Sequence, residues 1–101
     1  MSLGEAMSRL NDVVNSPVRF TIMAALATVD DATYQVLKEE LETSYALLSK
    51  HAAILEERGY LEVHKSFLAK KPQTVFRLTN AGRRAFEDHV AALEEIQRGF
   101  R

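Results

Sequence analysis

Residues 41–61 read LETSYALLSKHAAILEERGYL, and the parsing of this stretch decides the architecture. Leu47 or Leu48, Ala52 and Leu55 recur at helical spacing, which predicts a helix from Ser44 to Arg58. Gly59 ends it as a left-handed cap. At about 1.5 Å per residue this helix is roughly 22 Å long, enough to cross a wide groove. Upstream, Val36 or Leu37 and Leu41 mark a shorter helix beginning at Tyr34 or Gln35. Only Glu42, Thr43 and at most Ser44 separate the two periodic stretches. So short a link leaves two helices meeting at a sharp angle, the geometry of a helix-turn-helix.

Working outward, Ser16-Pro17 combines a cap with a proline at a first helical position, and so starts a helix from Pro17 to about Thr28. Val18, Ile22, Ala25, Leu26 and Val29 form its stripe, and Asp30-Asp31 break the pattern. Before it, Leu3, Met7, Leu10 and Val14, with Ala6 and Val13, predict one helix running to about Asn15. After Gly59 the period changes to alternation. Tyr60, Leu61 and Val63, then Val75, Phe76 and Leu78, predict a hairpin with strands near 60–66 and 73–79. Its tip, SFLAKKPQ, holds a Lys-Lys-Pro read as irregular because proline cannot serve in a paired strand. Thr79 caps a last helix with Gly82 in its first turn, and Phe86, Val90, Leu93, Ile96 or Gln97, and Phe100 follow at near-heptad spacing.

The expected fold is mainly α with a small β-hairpin: a winged helix-turn-helix, three core helices plus a wing, with flanking terminal helices. It forms one domain over 1–101, divided into an N-terminal helix (1–15), a helix-turn-helix core (17–58), a wing (60–79) and a C-terminal helix (80–98). A chain of 101 residues supports one modest core. No apolar run approaches the roughly 20 residues of a membrane helix, and no charged-then-apolar leader opens the chain, so a cytoplasmic protein without membrane association is expected. With no cysteine, disulfides, thiolate metal sites and cysteine nucleophiles are excluded.

The formal net charge of −1 hides a segregation. Residues 1–43 carry three basic side chains against seven acidic ones, whereas residues 44–79 carry six against three. From Val63 to Phe86 there are Lys65, Lys70, Lys71, Arg77, Arg83 and Arg84 and no acidic residue. A polyanion responds to such a local field rather than to the average.

The segments LNDVVNSPVRFTIMAAL (10–26), LLSKHAAILEERGYLEV (47–63) and TVFRLTNAGRRAF (74–86) together resemble the small winged-helix transcriptional regulators of the MarR-like and ArsR-like kind, in particular the compact winged-helix DNA-binding domains of about this size. The resemblance covers roughly residues 9–90. Its most specific parts are Leu48-Ser49-Lys50-His51 with Leu55-Glu56 and Gly59-Tyr60, and the Leu78-Thr79-x-x-Gly82-Arg83 that follows. It implies a homodimer on double-stranded DNA, one helix per protomer in successive major grooves, with Ser44, Tyr45, Ala46, Ser49, Lys50 and His51 on the DNA-facing surface of that helix. It also implies that Lys65, Lys70, Lys71 and Arg77 of the wing lie on phosphates or in the minor groove. Ala52 departs from the family, where leucine is usual, and Phe20 or Phe76 is expected to fill the space.

The residues themselves leave alternatives. Ser49 and His51 suggest a hydrolase, but side chains two apart on a helix point about 200° from each other, and no glycine-rich elbow supplies an oxyanion hole. His51 could equally pack half-buried, Ser49 could bond its own backbone, and Tyr45 could anchor a protein partner. Glu39, Glu40 and Glu42 read as a solvated face, and Lys70-Lys71 could be no more than a loop tip. His51, His64 and His89 lack i, i+3 or i, i+4 spacing, so a metal would need assembly across elements, and no metal or cofactor is expected. A three-helix core leaves Met7, Leu10, Phe86, Val90, Leu93 and Phe100 as an apolar surface suited to dimerisation. The alternative to a DNA-binding regulator is a winged helix that binds protein, or less readily a metal-responsive regulator. Operator, regulated genes, sign of regulation and effector are not legible.

Overall fold

The computed structural model describes residues 2–100. Its elements in chain order are α1 (Leu3–Ser8), α2 (Pro17–Leu26), β1 (Ala32–Thr33), α3 (Tyr34–Leu41), α4 (Tyr45–Glu57), β2 (Leu61–Leu68), β3 (Lys71–Leu78) and α5 (Asn80–Arg98). All five helices begin at a serine or threonine whose hydroxyl accepts a hydrogen bond from a backbone N–H of the first turn: Ser2, Ser16, Thr33, Ser44 and Thr79. Each cap is worth about 1 kcal/mol, so the helix starts are written locally. The turn between α3 and α4 is made by Glu42, which adopts a left-handed conformation (φ 50°, ψ 46°) as the C-cap of α3. That single residue reverses the chain sharply enough for α4 to start at Ser44.

The core is built from Val14, Ile22, Met23 and Leu26, from Leu37, Leu48 and Leu55, and from Leu61, Phe76 and Leu78 on the inner face of the sheet. Ala52 is buried there, and Phe76 shares a groove wall with it, whereas Phe20 packs elsewhere, its ring 5.2 Å from that of Phe86. Of the two phenylalanines, Phe76 of the wing is the one that lies beside Ala52, in a core that α2 shares through Ile22, Met23 and Leu26.

Three features differ from the sequence reading. The N-terminal helix stops at Ser8 although the apolar period continues to Val14. Asn11 is the cause: its Oδ1 accepts from the N–H groups of both Val13 and Val14, its Nδ2 donates to the Tyr60 hydroxyl, and its own N–H donates to His89 Nδ1 (3.0 Å). A side chain that captures backbone donors competes with the helix, so residues 9–15 form an irregular link whose Val14 is nonetheless fully buried. Secondly, β1 was not foreseen. Two residues are too few for alternation to show, yet they pair antiparallel with β3, Ala32 opposite Phe76 and Thr33 opposite Val75, giving a sheet of order β1-β3-β2.

Thirdly, the wing tip is regular. The strands run to Leu68 and from Lys71, joined by Ala69-Lys70, both at positive φ (51° and 68°), as a two-residue hairpin turn requires. Pro72 does pair, opposite Phe67. Alternation from the closing Leu68–Lys71 pair makes this a position without ladder bonds to β2, and β1 reaches only Val75, so the missing N–H faces no strand.

His89 is buried, and burial pushes its pKa below the ordinary histidine value of 6.5. Because its Nδ1 accepts from Asn11, the proton belongs on Nε2, and an imidazolium would set two donors against each other. The unfolded chain takes up a proton near pH 6.5 that the folded chain resists, so this stabilisation is complete above that pH and is lost as pH falls through the lower folded pKa. His51, lowered by burial first and then by Arg19 and Lys50, has the same sign. The melting temperature is expected to fall between about pH 7 and about pH 5, ahead of most carboxylate titration, and less steeply in a His89→Gln variant. A flat profile over that range in calorimetry would contradict the buried acceptor role.

Candidate nucleic-acid interface

The outward face of α4 carries Ala46, Lys50 and Ala53, all exposed, at positions three and four apart. Two alanines beside a lysine leave the helix backbone open to close approach. Tyr45 stands beside them, 65% exposed, its ring stacked on that of Tyr34 at 4.5 Å. Tyr34 was not singled out by sequence, yet it organises this end of the site. Its hydroxyl lies 2.5 Å from the Tyr45 carbonyl oxygen and 2.5 Å from Ser49 Oγ. The carbonyl can only accept, so the tyrosine donates to it and Ser49 donates to the tyrosine. Ser49 is thereby committed to holding α3 against α4, and Ser44 to capping α4 through the Leu47 N–H.

His51 is committed as well. Arg19 Nη1 lies 2.9 Å from His51 Nδ1, and Arg19 Nε donates to the Val13 carbonyl at 2.5 Å. A guanidinium can only donate, so Nδ1 accepts and the imidazole is neutral, in keeping with its lowered pKa. Of the triplet Ser49-Lys50-His51, only Lys50 is fully presented on the surface.

The wing faces this helix across a shallow groove of about 170 Å³ lined by Tyr45, Ser49 and Ala53 on one side and Val63, Lys65 and Thr74 on the other. Lys65 Nζ donates to Thr74 Oγ1 across the hairpin (2.9 Å), which points its charge along the groove rather than away from it. Lys70 and Lys71 are exposed at the tip. Arg77 sits on the other face of the sheet by strand alternation, and it pairs with Asp31 (3.6 Å). Arg83 donates to the carbonyl of Ala27 at the C-terminus of α2. The basic window that is acid-free in sequence thus has acids beside it in space: Asp31, brought by the link into β1, and Glu56 of α4, which lines the groove with Lys65. Such a contact is invisible to a linear scan. His64 pairs with Glu62, and with His51 and His89 placed as above the three histidines occupy three separate environments.

Of the apolar residues expected on a dimer surface, Met7 (63%), Leu93 (37%) and Phe100 (96%) are exposed on or beside the terminal helices, with Leu3 (37%) next to them in sequence on α1. Leu10 and Val90 are half-buried. Phe86 turns inward onto Phe20, so it serves the protomer's own core. Among the described residues no helix is long and apolar enough to cross a membrane.

Comparison with known proteins agrees with this geometry. The winged helix DNA-binding domain family matches residues 18–97. An uncharacterized protein of Methanocaldococcus jannaschii is 31% identical over 88 residues, spanning 87% of this chain and 96% of that one. A transcriptional regulator homologue from Pyrococcus horikoshii OT3 has the same fold, with a TM-score of 0.85 and 26% identity over 96% of this chain and 94% of its own. The fold is shared more distantly by the PcaV transcriptional regulator of Streptomyces coelicolor, with a TM-score of 0.75 and 15% identity over 90% of this chain and 63% of its own. With the helix-turn-helix, the wing and a family match over most of its length, the chain belongs to the winged helix DNA-binding domain family and is a DNA-binding regulator rather than a member of an enzyme fold.

Proposed function

We propose that the protein is a cytoplasmic homodimer that binds double-stranded DNA sequence-specifically, with α4 in the major groove and the wing on the neighbouring backbone. The observation that carries this reading is the exposed Ala46, Lys50 and Ala53 surface of α4, with Lys65 across the groove and Lys70 and Lys71 exposed at the tip of the wing beyond it. Tyr45 and Ala46 offer apolar contact to base edges, with Lys50 reaching a base or a phosphate. Ser44, Ser49 and His51 act mainly by holding the helix in place, each still close enough to the surface to meet a phosphate. Arg77, tied to Asp31, contributes less than the three wing lysines.

Dimerisation pairs the exposed Met7, Leu93 and Phe100, bordered by Leu10 and Val90, across a two-fold axis. Two recognition helices are then about 34 Å apart, one helical turn of DNA, which suits a near-palindromic site. Mobility-shift titrations on duplex DNA test this. If about three basic side chains per protomer reach phosphate, about six are neutralised, and the slope of log K against log salt is near −5. No binding at low salt, short of aggregation, removes the DNA reading, and a monomer in sedimentation at micromolar concentration removes the dimer.

A further inference from the structure

The tip of the wing carries an apolar side chain that the fold does not use. Phe67 is 74% exposed, one residue from the end of β2, opposite Pro72. By strand alternation it points to the same face as Val63 and Lys65, the face that closes the groove against α4. Leu68, 63% exposed, points to the opposite face of the hairpin. On Phe67's own face Lys65 stands two residues back along the strand, Lys70 lies in the turn beyond it, and Lys71, opposite Leu68, is on the other face of the tip. An exposed aromatic ring on a narrow two-stranded projection, with one lysine on its own face and two more at the tip, suits a polyanion with stacked apolar layers inside it. It suits an apolar protein surface poorly, since the ammonium group of Lys65 on the same face would have to be desolvated there.

Resting on the DNA reading above, we infer that Phe67 is a specificity-determining wedge: the wing enters the minor groove and Phe67 inserts between two base pairs at a flexible pyrimidine–purine step. Apolar wedges of this kind unstack a step and kink the duplex toward the major groove. Here the lysines of the tip hold the phosphates while Pro72, opposite Phe67 on the neighbouring strand, stiffens its support. The preference this produces is for deformable steps rather than for particular base edges. In a dimer the two wedges fall symmetrically outside the two major-groove contacts, so the steps lie at the flanks of the site.

The test uses the full chain and a duplex selected for binding, with 2-aminopurine placed in turn at each flanking step. Binding of the wild-type protein is expected to raise 2-aminopurine fluorescence at one step on each side, and circular-permutation gels are expected to show a bend. Phe67→Ala is expected to abolish both signals and to weaken binding about tenfold, roughly the scale of losing one inserted side chain. Its salt dependence should be unchanged, because no charge is lost. Phe67→Leu should restore the bend in part and Phe67→Ser should not. Wild-type binding without unstacking, or a Phe67→Ala protein that binds and bends DNA as the wild type does, would overturn the wedge and leave the DNA reading intact. Loss of dimerisation in Phe67→Ala would also overturn it, by assigning the ring to a second copy of the chain. Failure of the wild type to bind any duplex would remove both.

Discussion

Gly82→Ala is expected to lower the melting temperature by about 10–20 °C, the equivalent of about 2–3 kcal/mol for a chain of this size. A Cβ at this position would lie 2.2 Å from the carbonyl oxygen of Tyr60 and 2.9 Å from Leu78 Cδ1. The first of these is backbone, and it is already fixed by accepting from the Thr79 N–H at 3.1 Å. The Leu78 side chain can turn aside, but the carbonyl cannot. Thr79 adds to the rigidity, because its hydroxyl donates to the Gly59 carbonyl while accepting from the Gly82 N–H. The start of α5, the end of β3 and the entry to β2 are thus locked at one point, and a methyl group there separates all three. Gly4→Ala supplies the contrast: its Cβ would meet only Ser2 Oγ, at 4.0 Å, so the melting temperature should hold or rise slightly. Thermal unfolding followed by circular dichroism measures both, and equal effects of the two substitutions would refute the close approach.

The triple charge reversal Lys50→Glu, Lys70→Glu, Lys71→Glu should abolish DNA binding within the range of a mobility-shift assay while moving the melting temperature by no more than about 2 °C. All three side chains are exposed, and none forms an ion pair among the described residues. Their replacement therefore costs the fold little. On DNA each reversal changes the interaction by two charges, and a dimer multiplies the change by two. Arg77→Glu should do much less to binding, because that guanidinium is already drawn to Asp31. If Arg77→Glu instead proved as damaging as the triple variant, the assignment of the wing's outer lysines as the principal phosphate contacts would fail.

Most of the architecture could be read because the helix starts are local chemistry. Ser16-Pro17, Ser44 and Thr79 announce their helices in one or two residues, and Gly59, at φ 82°, closes α4 where a left-handed residue was required. What could not be read depends on partners far apart in the chain. Asn11 ends α1 through bonds that reach Tyr60 and His89, 49 and 78 residues away, so the apolar period of residues 3–14 overstated the helix. The tip was misread for a different reason: Pro72 breaks a paired strand only when a neighbour needs its N–H, and which side that neighbour occupies is a matter of register. Within the candidate site, the composition of α4 singled out one helix. It did not tell presented side chains from committed ones, since Ser49 is held by Tyr34 and His51 by Arg19, and neither partner sits near them in sequence.

The hairpin divides into two halves with different constraints. Up to Val75 and Phe76 it is braced by β1 and contributes to the core, whereas from Lys65 to Gln73 its side chains are exposed or half-buried and no residue belongs to the buried cluster. Substitutions in that outer half are therefore nearly uncoupled from folding stability. On the proposed DNA reading, residues 65–73 can change one at a time and alter which DNA is preferred while each intermediate stays folded. Gly82 and Asn11, where several elements converge, offer no such freedom. The molecule thus keeps its evolvable positions at one end of a ribbon and its unforgiving ones at the other.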